Sequence, residues 1–233
     1  FNIAFILPFT GFFIYKILNK IHLSPFYHKC TIFLSAYISI NLAAFFTALE
    51  LGIQPLLFVD NLGQPLYCPY PLWISIPAMA LSHLTIAGIA EGLFTLSLYL
   101  FILKTSPNII YDSQQIKLNS IFSLLAFLII ISPLGLIAEG TAWGEWAPEE
   151  ILNDTSSGFP LGFIPEKLLN GFIYEAFFPD YTMSGTTDIL AYIASAIIGV
   201  ALLIIIFKIL GSIIYAKKIE LRKNIYTFGN VLT

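Results

Sequence analysis

Charge is what this sequence has least of. Only 11% of its 233 residues are Asp, Glu, Lys or Arg, against roughly 25% in a soluble domain. The 11 Lys and Arg are outnumbered by 14 Asp and Glu, so there is no basic face of the kind that grips nucleic acid. Disorder is excluded as well, because a chain that is 58% hydrophobic has no reason to stay solvated. Cysteine is rare. Cys30 and Cys68 form no C-x-x-C pair and fall near opposite ends of one expected helical hairpin, so neither a disulfide nor a zinc site is indicated. Three motifs are missing: the phosphate-cradling G-x-x-x-x-G-K-[ST], the zinc-protease H-E-x-x-H and the nucleophile elbow G-x-S-x-G. No strand alternation, internal repeat or low-complexity tract is found.

Long apolar stretches take the place of charge. A bilayer core of about 30 Å needs roughly 20 apolar residues of helix. Five segments meet or approach that length: 1–18, 31–49, 73–103, 118–137 and 189–215. Pro77 lies near the start of the long third segment, which predicts a kink or a short lead-in there. The fold class is therefore all-α, a polytopic membrane helix bundle of about five transmembrane helices. The expected organisation is 1–137 for the first four helices, 138–187 for an extracytoplasmic loop, 188–215 for the fifth helix and 216–233 for a tail. The chain opens on Phe1 inside an apolar run, without the charged start of a signal peptide. It reads as a fragment or processed product.

Lysine and arginine set the expected orientation. Ten of the 11 flank the first loop, the third loop or the end of the fifth helix; only Lys167 lies elsewhere. That places the chain in the plasma membrane as a multi-pass protein with a cytoplasmic C-terminus. Eleven acidic residues, Glu50, Asp60 and Glu145 among them, fall on the opposite segments. Two readings stay open for this face: a solvated acidic loop, which is favoured, and a field that concentrates cations. The loop 138–187 is rich in Trp, Phe and Tyr and is expected to carry short helices or re-entrant pieces at the membrane interface.

Two ionisable residues fall inside the third helix, His83 and Glu91. Burying such groups in lipid is costly, so they normally face the bundle interior. In a regular helix, eight residues place them about 80° apart and roughly 12 Å along the axis, too far to touch. For each, two readings stay open: a metal or proton path or subunit contact, and interhelical hydrogen bonding that only stabilises the bundle. The small residues of the third and fifth helices read first as ordinary helix packing, with a docking face for another membrane subunit as the alternative. His22 and His28 read as solvated loop residues.

Residues 71–95, PLWISIPAMALSHLTIAGIAEGLFT, resemble a helix of the CbiM/NikM family. The opening, FNIAFILPFTGFFIYKI, is similar to a middle helix of that family, which adds Asn2 to the polar candidates. SPLGLIAEGTAWGEWAPEEI and GFPLGFIPEKL look like the C-terminal part of its cobalt-type members. The family consists of substrate-specific components of energy-coupling-factor transporters for cobalt and nickel. The resemblance implies capture of Co²⁺, or alternatively Ni²⁺, with no permanent cofactor and no catalysis by this chain. It implies partners: a coupling transmembrane subunit, cytoplasmic ATPase subunits, and a small accessory membrane subunit. In the family the ion is held by the N-terminal amine and by His residues of a Met-His-Ile-Pro opening and beyond. No position here matches those ligands, so none is carried over. Cobalt supply for cobalamin synthesis is the use the resemblance suggests. Two other classes remain: a structural membrane subunit, and an intramembrane enzyme using His83 and Glu91 as acid and base, for which their spacing is awkward.

Overall fold

A computed structural model describes residues 1–20, 24–107, 118–137, 141–171 and 176–231. Among them all regular structure is helical, apart from one isolated bridge between Val59 and Pro65. Helix α1 is Asn2–Leu18, α2 is Pro25–Leu57 and α3 is Leu72–Thr105. Helix α4 is Leu118–Ile131, prolonged by a 3₁₀ segment Ser132–Ile137. Two short helices follow, α5 at Pro148–Asn153 and α6 at Glu166–Leu169. A 3₁₀ turn at Pro179–Tyr181 precedes α7, Asp188–Val231.

Four of these helices are long and apolar enough to cross a membrane, so the chain is a polytopic helical membrane protein. The expected first span is shorter than the rest. Its 17 residues reach about 25 Å at 1.5 Å per residue. The last helix is longer than expected and runs past 215, through the segment read as a tail, to Val231. The residues form two compact units, 1–120 with 140–173, and 121–139 with 174–233. The expected loop 138–187 is thus divided between them.

In the first unit α2 is the central helix, with α1 and α3 both packed on it. Its sequence explains why. Ser35, Ser39, Ala43, Ala48 and Gly52 recur at about one helical turn and are all buried. A row of small side chains lets neighbouring backbones approach closely. At Gly52 the approach is closest, since a Cβ there would lie 2.8 Å from the Leu72 Cα. Ser75 adds a buried hydrogen bond to the Ala48 carbonyl, 2.9 Å, bolting α3 to α2. Gly88 and Gly92 of α3 pack on Asn41, Tyr37 and Phe33 of α2. The small residues of the third helix therefore do serve packing.

With 33 residues, α2 is about 50 Å long and outreaches a bilayer core. Its projecting end supports a cap built from 141–171. Cys68, Tyr70 and Ile74 form a buried cluster there, covered by Leu51, Trp143, Trp146 and Leu161. Cys68 and Cys30 are both free thiols.

Helix α3 continues through Pro77. Its irregularity comes later, as a π-helical turn at His83–Ala87. There the Gly88 N–H bonds to the His83 carbonyl rather than to Leu84. The carbonyl of Leu84, deprived of its regular donor, accepts the Tyr37 hydroxyl at 2.8 Å. Helix α1 opens on a second π turn, Asn2–Ile6.

In the second unit, α4 turns into its 3₁₀ end at Ser132-Pro133. Tyr181 stacks edge-on against Tyr192 with ring centroids 5.0 Å apart. Within this unit, no described atom lies within 4 Å of where a Cβ at Gly199 or Gly211 of α7 would stand.

Candidate functional site: two cavities on one helix

Two cavities lie between α1, α2 and α3 of the first unit. One, of about 570 Å³, lies under the cap; its polar lining is Asn2, Thr47, Ser82, His83 and Glu145, with Trp143 beside them. The other, of about 490 Å³, lies toward the lysine-bearing ends of the helices; Ser35, Ser39, Glu91, Thr95, Tyr15 and Tyr99 supply its polar groups. Neighbouring residues of α2, Ser39 and Ile40, line one cavity each.

The cap-side cavity is built from irregular backbone. Two of its polar residues, Asn2 and His83, are the first residues of π turns, a form of helix that concentrates at functional sites. Asn2 is buried, and its amide nitrogen donates to Thr47 Oγ1 at 2.9 Å and to a Glu50 carboxylate oxygen at 2.8 Å. With both N–H groups spent, its Oδ1 is buried without a partner among the described residues. An unsatisfied buried carbonyl costs about 1–3 kcal/mol, so this atom is a vacant acceptor. His83 Nδ1 lies 2.9 Å from the Met79 carbonyl. A carbonyl only accepts, so Nδ1 donates there, and in a neutral imidazole the lone pair is then on Nε2. An imidazole oriented by a backbone carbonyl is the usual form of a metal-ligating histidine.

The cap is held by a polar knot inside aromatic rings. The Tyr70 hydroxyl hydrogen-bonds the Asp154 carboxylate. Trp143 and Trp146 pack edge-to-face, 5.0 Å between ring centroids, and both lie against Tyr70. Trp143 Nε1 donates to Ser156 Oγ at 2.9 Å, and the Ser156 N–H donates to Asp154 at 2.9 Å. Burial alone would raise the Asp154 carboxyl, but hydrogen bonds from Ser156, Tyr70 and Trp146 outweigh it and hold the group below the usual carboxylate range. The Tyr70 phenol is pushed above its ordinary range, first by burial, then by its hydrogen bond to Asp154 and by the charge of that group. Gly144, at φ +99, makes the turn between the two tryptophans where a Cβ would meet Leu51 at 2.9 Å.

The candidates from the sequence are thus separated. Asn2 and His83 share the cap-side cavity; Glu91 lines the other one, with Thr95 Oγ1 donating to it at 3.2 Å. The π turn between His83 and Glu91 voids the angle expected of a regular helix. Placing the pair in different cavities removes the geometry that acid–base catalysis on one substrate needs. His28 is a correction. It belongs to α2, not to a solvated loop, and is part-buried between Asn19 and Tyr99. His22 lies outside the described residues. Among the described residues no group of three or more His, Cys, Asp or Glu is placed to hold a metal.

Residues 1–109 match the family model for CbiM, cobalt uptake substrate-specific transmembrane region, and 118–216 match that for the PDGLE domain. A probable fused nickel transport protein, LarMN, of Lactiplantibacillus plantarum is 37% identical over 89% of this chain and 62% of its own length. A fused nickel transport protein, NikMN, of Rhodobacter capsulatus is 37% identical over 73% of this chain and 54% of its own. A crystal structure of a truncated transition metal transporter aligns with 45% of this chain and 47% of that one, at 44% identity and a TM-score of 0.42. The chain belongs to the CbiM/NikM family through its first three helices and carries a PDGLE domain after them. It spans about half to three-fifths of the length of the two curated relatives. The first family match ends before α4.

Proposed function

We propose that this chain is the substrate-capture component of an importer for Ni²⁺ or Co²⁺ and that the ion is taken up through the cap-side cavity. The carrying observation is the vacant Asn2 Oδ1, buried in the same cavity as His83 and Glu145. A neutral imidazole nitrogen, an amide oxygen and a carboxylate are donors that both ions accept. The chain changes no covalent bond. ATP hydrolysis belongs to cytoplasmic partner subunits, linked to it by a coupling transmembrane subunit. The cap faces outward and the lysine-rich helix ends face the cytoplasm, as the charge asymmetry indicates.

Cobalt is favoured by the segment GTAWGEW, which resembles cobalt-type members; its residues 141–146 form part of the cap. Nickel is favoured by the names of the two relatives at 37% identity. One assay decides between them. Cells lacking their own uptake systems are given the full-length protein with its partners and supplied with radioactive Ni²⁺ or Co²⁺. Accumulation is expected, and His83→Ala and Asn2→Leu are expected to lower it roughly tenfold or more. Accumulation of neither ion above cells without the transporter would overturn the reading.

A further inference from the structure

The second cavity has no part in capture, yet it carries the only acidic side chain in the middle of a described span. Glu91 lies well inside α3, and among the described residues no cation pairs with it. Its single hydrogen bond within the cavity comes from Thr95. Ionisable groups at this depth normally mark a path or a pair. The rest of the polar lining points the same way. Ser35 and Ser39 spend their hydroxyl protons on carbonyls of their own helix, Thr31 at 2.7 Å and Ala36 at 2.9 Å. Both oxygens therefore present lone pairs, not protons, to the cavity. A carboxylate flanked by hydroxyl oxygens is an environment for a cation.

Toward the lysine end, a chain of hydrogen bonds joins all three helices beside the cavity. Asn19, capping α1, accepts from His28 Nδ1 at 2.9 Å, and His28 Nε2 accepts from the Tyr99 hydroxyl of α3 at 3.0 Å. The rings of Tyr15 and Tyr99 lie edge-on to His28, at 5.9 and 5.7 Å between centroids. Tyr15 and Tyr99 also line the cavity. One end of the space thus meets the residues that line the capture cavity along α2, and the other meets a polar latch.

We infer that the Glu91 cavity is a transit site, where the transported divalent cation is held by the Glu91 carboxylate between the capture cavity and a cytoplasmic exit latched by Asn19, His28 and Tyr99. The inference rests on the capture reading and adds a second station to it. A bound ion there has a charge opposite to its holder and oxygen ligands, and leaves when the latch separates α1 and α3 from His28.

The test uses the full-length protein with its partner subunits in proteoliposomes. Glu91→Gln keeps shape and removes charge. Equilibrium binding of Ni²⁺ and Co²⁺ at the capture site is expected to persist, while ATP-driven uptake falls roughly tenfold or more. Unchanged uptake would overturn the transit site. A second measurement does not depend on that variant folding. In a chain with Cys30→Ser and Cys68→Ser, Ala36→Cys puts a thiol in the cavity wall. The transported ion is expected to slow its alkylation, and equal rates with and without the ion would sink the proposal. If the wild-type complex neither binds nor moves either ion, the capture reading itself fails. If it does both and Glu91→Gln matches it, only the transit site falls.

Discussion

The two units solve the problem of standing in a bilayer in opposite ways. In the first, three helices close on one another through glycines and small residues, and the polar side chains that lipid would reject gather in the gaps. In the second, α4 has no charged residue between Asn119 and Ile137, and α7 has none between Asp188 and Lys208. The glycines make the contrast concrete. Gly52, Gly88 and Gly92 each have a neighbour within 3.0 Å of where a Cβ would stand, whereas Gly199 and Gly211 have none within 4 Å. Close packing is needed where a helix must bury polar atoms, because every one of them has to find a partner or a cavity. The second unit has little to bury, and its apolar faces suit lipid or another membrane helix equally well.

Leucine at two of these glycines is the sharpest way to break the contrast. Gly52→Leu drives a side chain into the backbone of Leu72, which cannot yield without parting α2 from α3. Overpacking usually costs about 1–3 kcal/mol, and this site is expected at or above the top of that range. Gly199→Leu meets open space and is expected to stay within about 0.5 kcal/mol of wild type. Thermal unfolding of the two purified variants in detergent reads the difference. Equal losses would mean that both units are packed alike.

Next in size comes the knot in the cap. Tyr70→Phe keeps the ring against Trp143 and Trp146 and removes the donor to Asp154. A hydrogen bond to a charged group contributes about 1.5–3 kcal/mol, so a loss of about 2 kcal/mol is expected, localised to the first unit. Tryptophan fluorescence reports it, since two of the chain's 3 tryptophans are in the knot. A change of less than a few tenths of a kcal/mol would show that ring packing alone holds the cap.

Acid is expected to act in the same place but more weakly. The folded Asp154 carboxyl titrates below its unfolded value, which is about 3.9. Its stabilisation is therefore complete above the unfolded value and fades as the pH drops through the folded one. Glu150, lowered by hydrogen bonds from the Ala147 N–H and the Thr141 hydroxyl, follows the same sign. Fluorescence followed from about pH 6 to about pH 3 should show the cap loosening at the acid end, relative to the unfolded carboxyl near 3.9. Asp154→Asn should flatten that profile; an identical profile in the variant would place the acid sensitivity elsewhere.

Much of this was legible in the residues, and the exceptions have physical causes. Apolar length announced the helices, because a bilayer demands it. His83 and Glu91 stood out because charge inside such a run is rare, and Asn2 through a resemblance. Their separation into two cavities was not legible, since a π turn leaves no periodic trace and shifts every residue after it. The buried row Ser35, Ser39, Ala43, Ala48 and Gly52 was readable at its four- to five-residue spacing but passes for ordinary small residues unless sought. His28 was misjudged because charged neighbours, Lys20 and Lys29, suggest solvent. Its partners, Asn19 and Tyr99, are 9 and 71 residues away, and long-range pairing of that kind is invisible in a single sequence. The cap was foreseen as structured through its aromatics, but not its organising centre, where one carboxylate binds a tyrosine 84 residues before it.

The smallest expected effect concerns the one lysine that charge counting could not place. Lys167 is the lone cation of the cap, 3.6 Å from Glu166, and both side chains are substantially exposed at 40% and 57%. An ion pair in that setting contributes roughly 0–1 kcal/mol, because water screens the attraction and two long side chains lose freedom to make it. The backbone of Lys167 does more: its N–H donates to the Leu66 carbonyl at 3.0 Å, tying α6 to the hairpin before α3. Lys167→Gln keeps that bond and removes only the charge. Unfolding should therefore shift by less than about 0.5 kcal/mol, with the small shift vanishing in salt. A loss comparable with that of Tyr70→Phe would mean that the cap is held from its surface, and the distinction between a unit organised by buried polar atoms and one organised by apolar length would have to be redrawn.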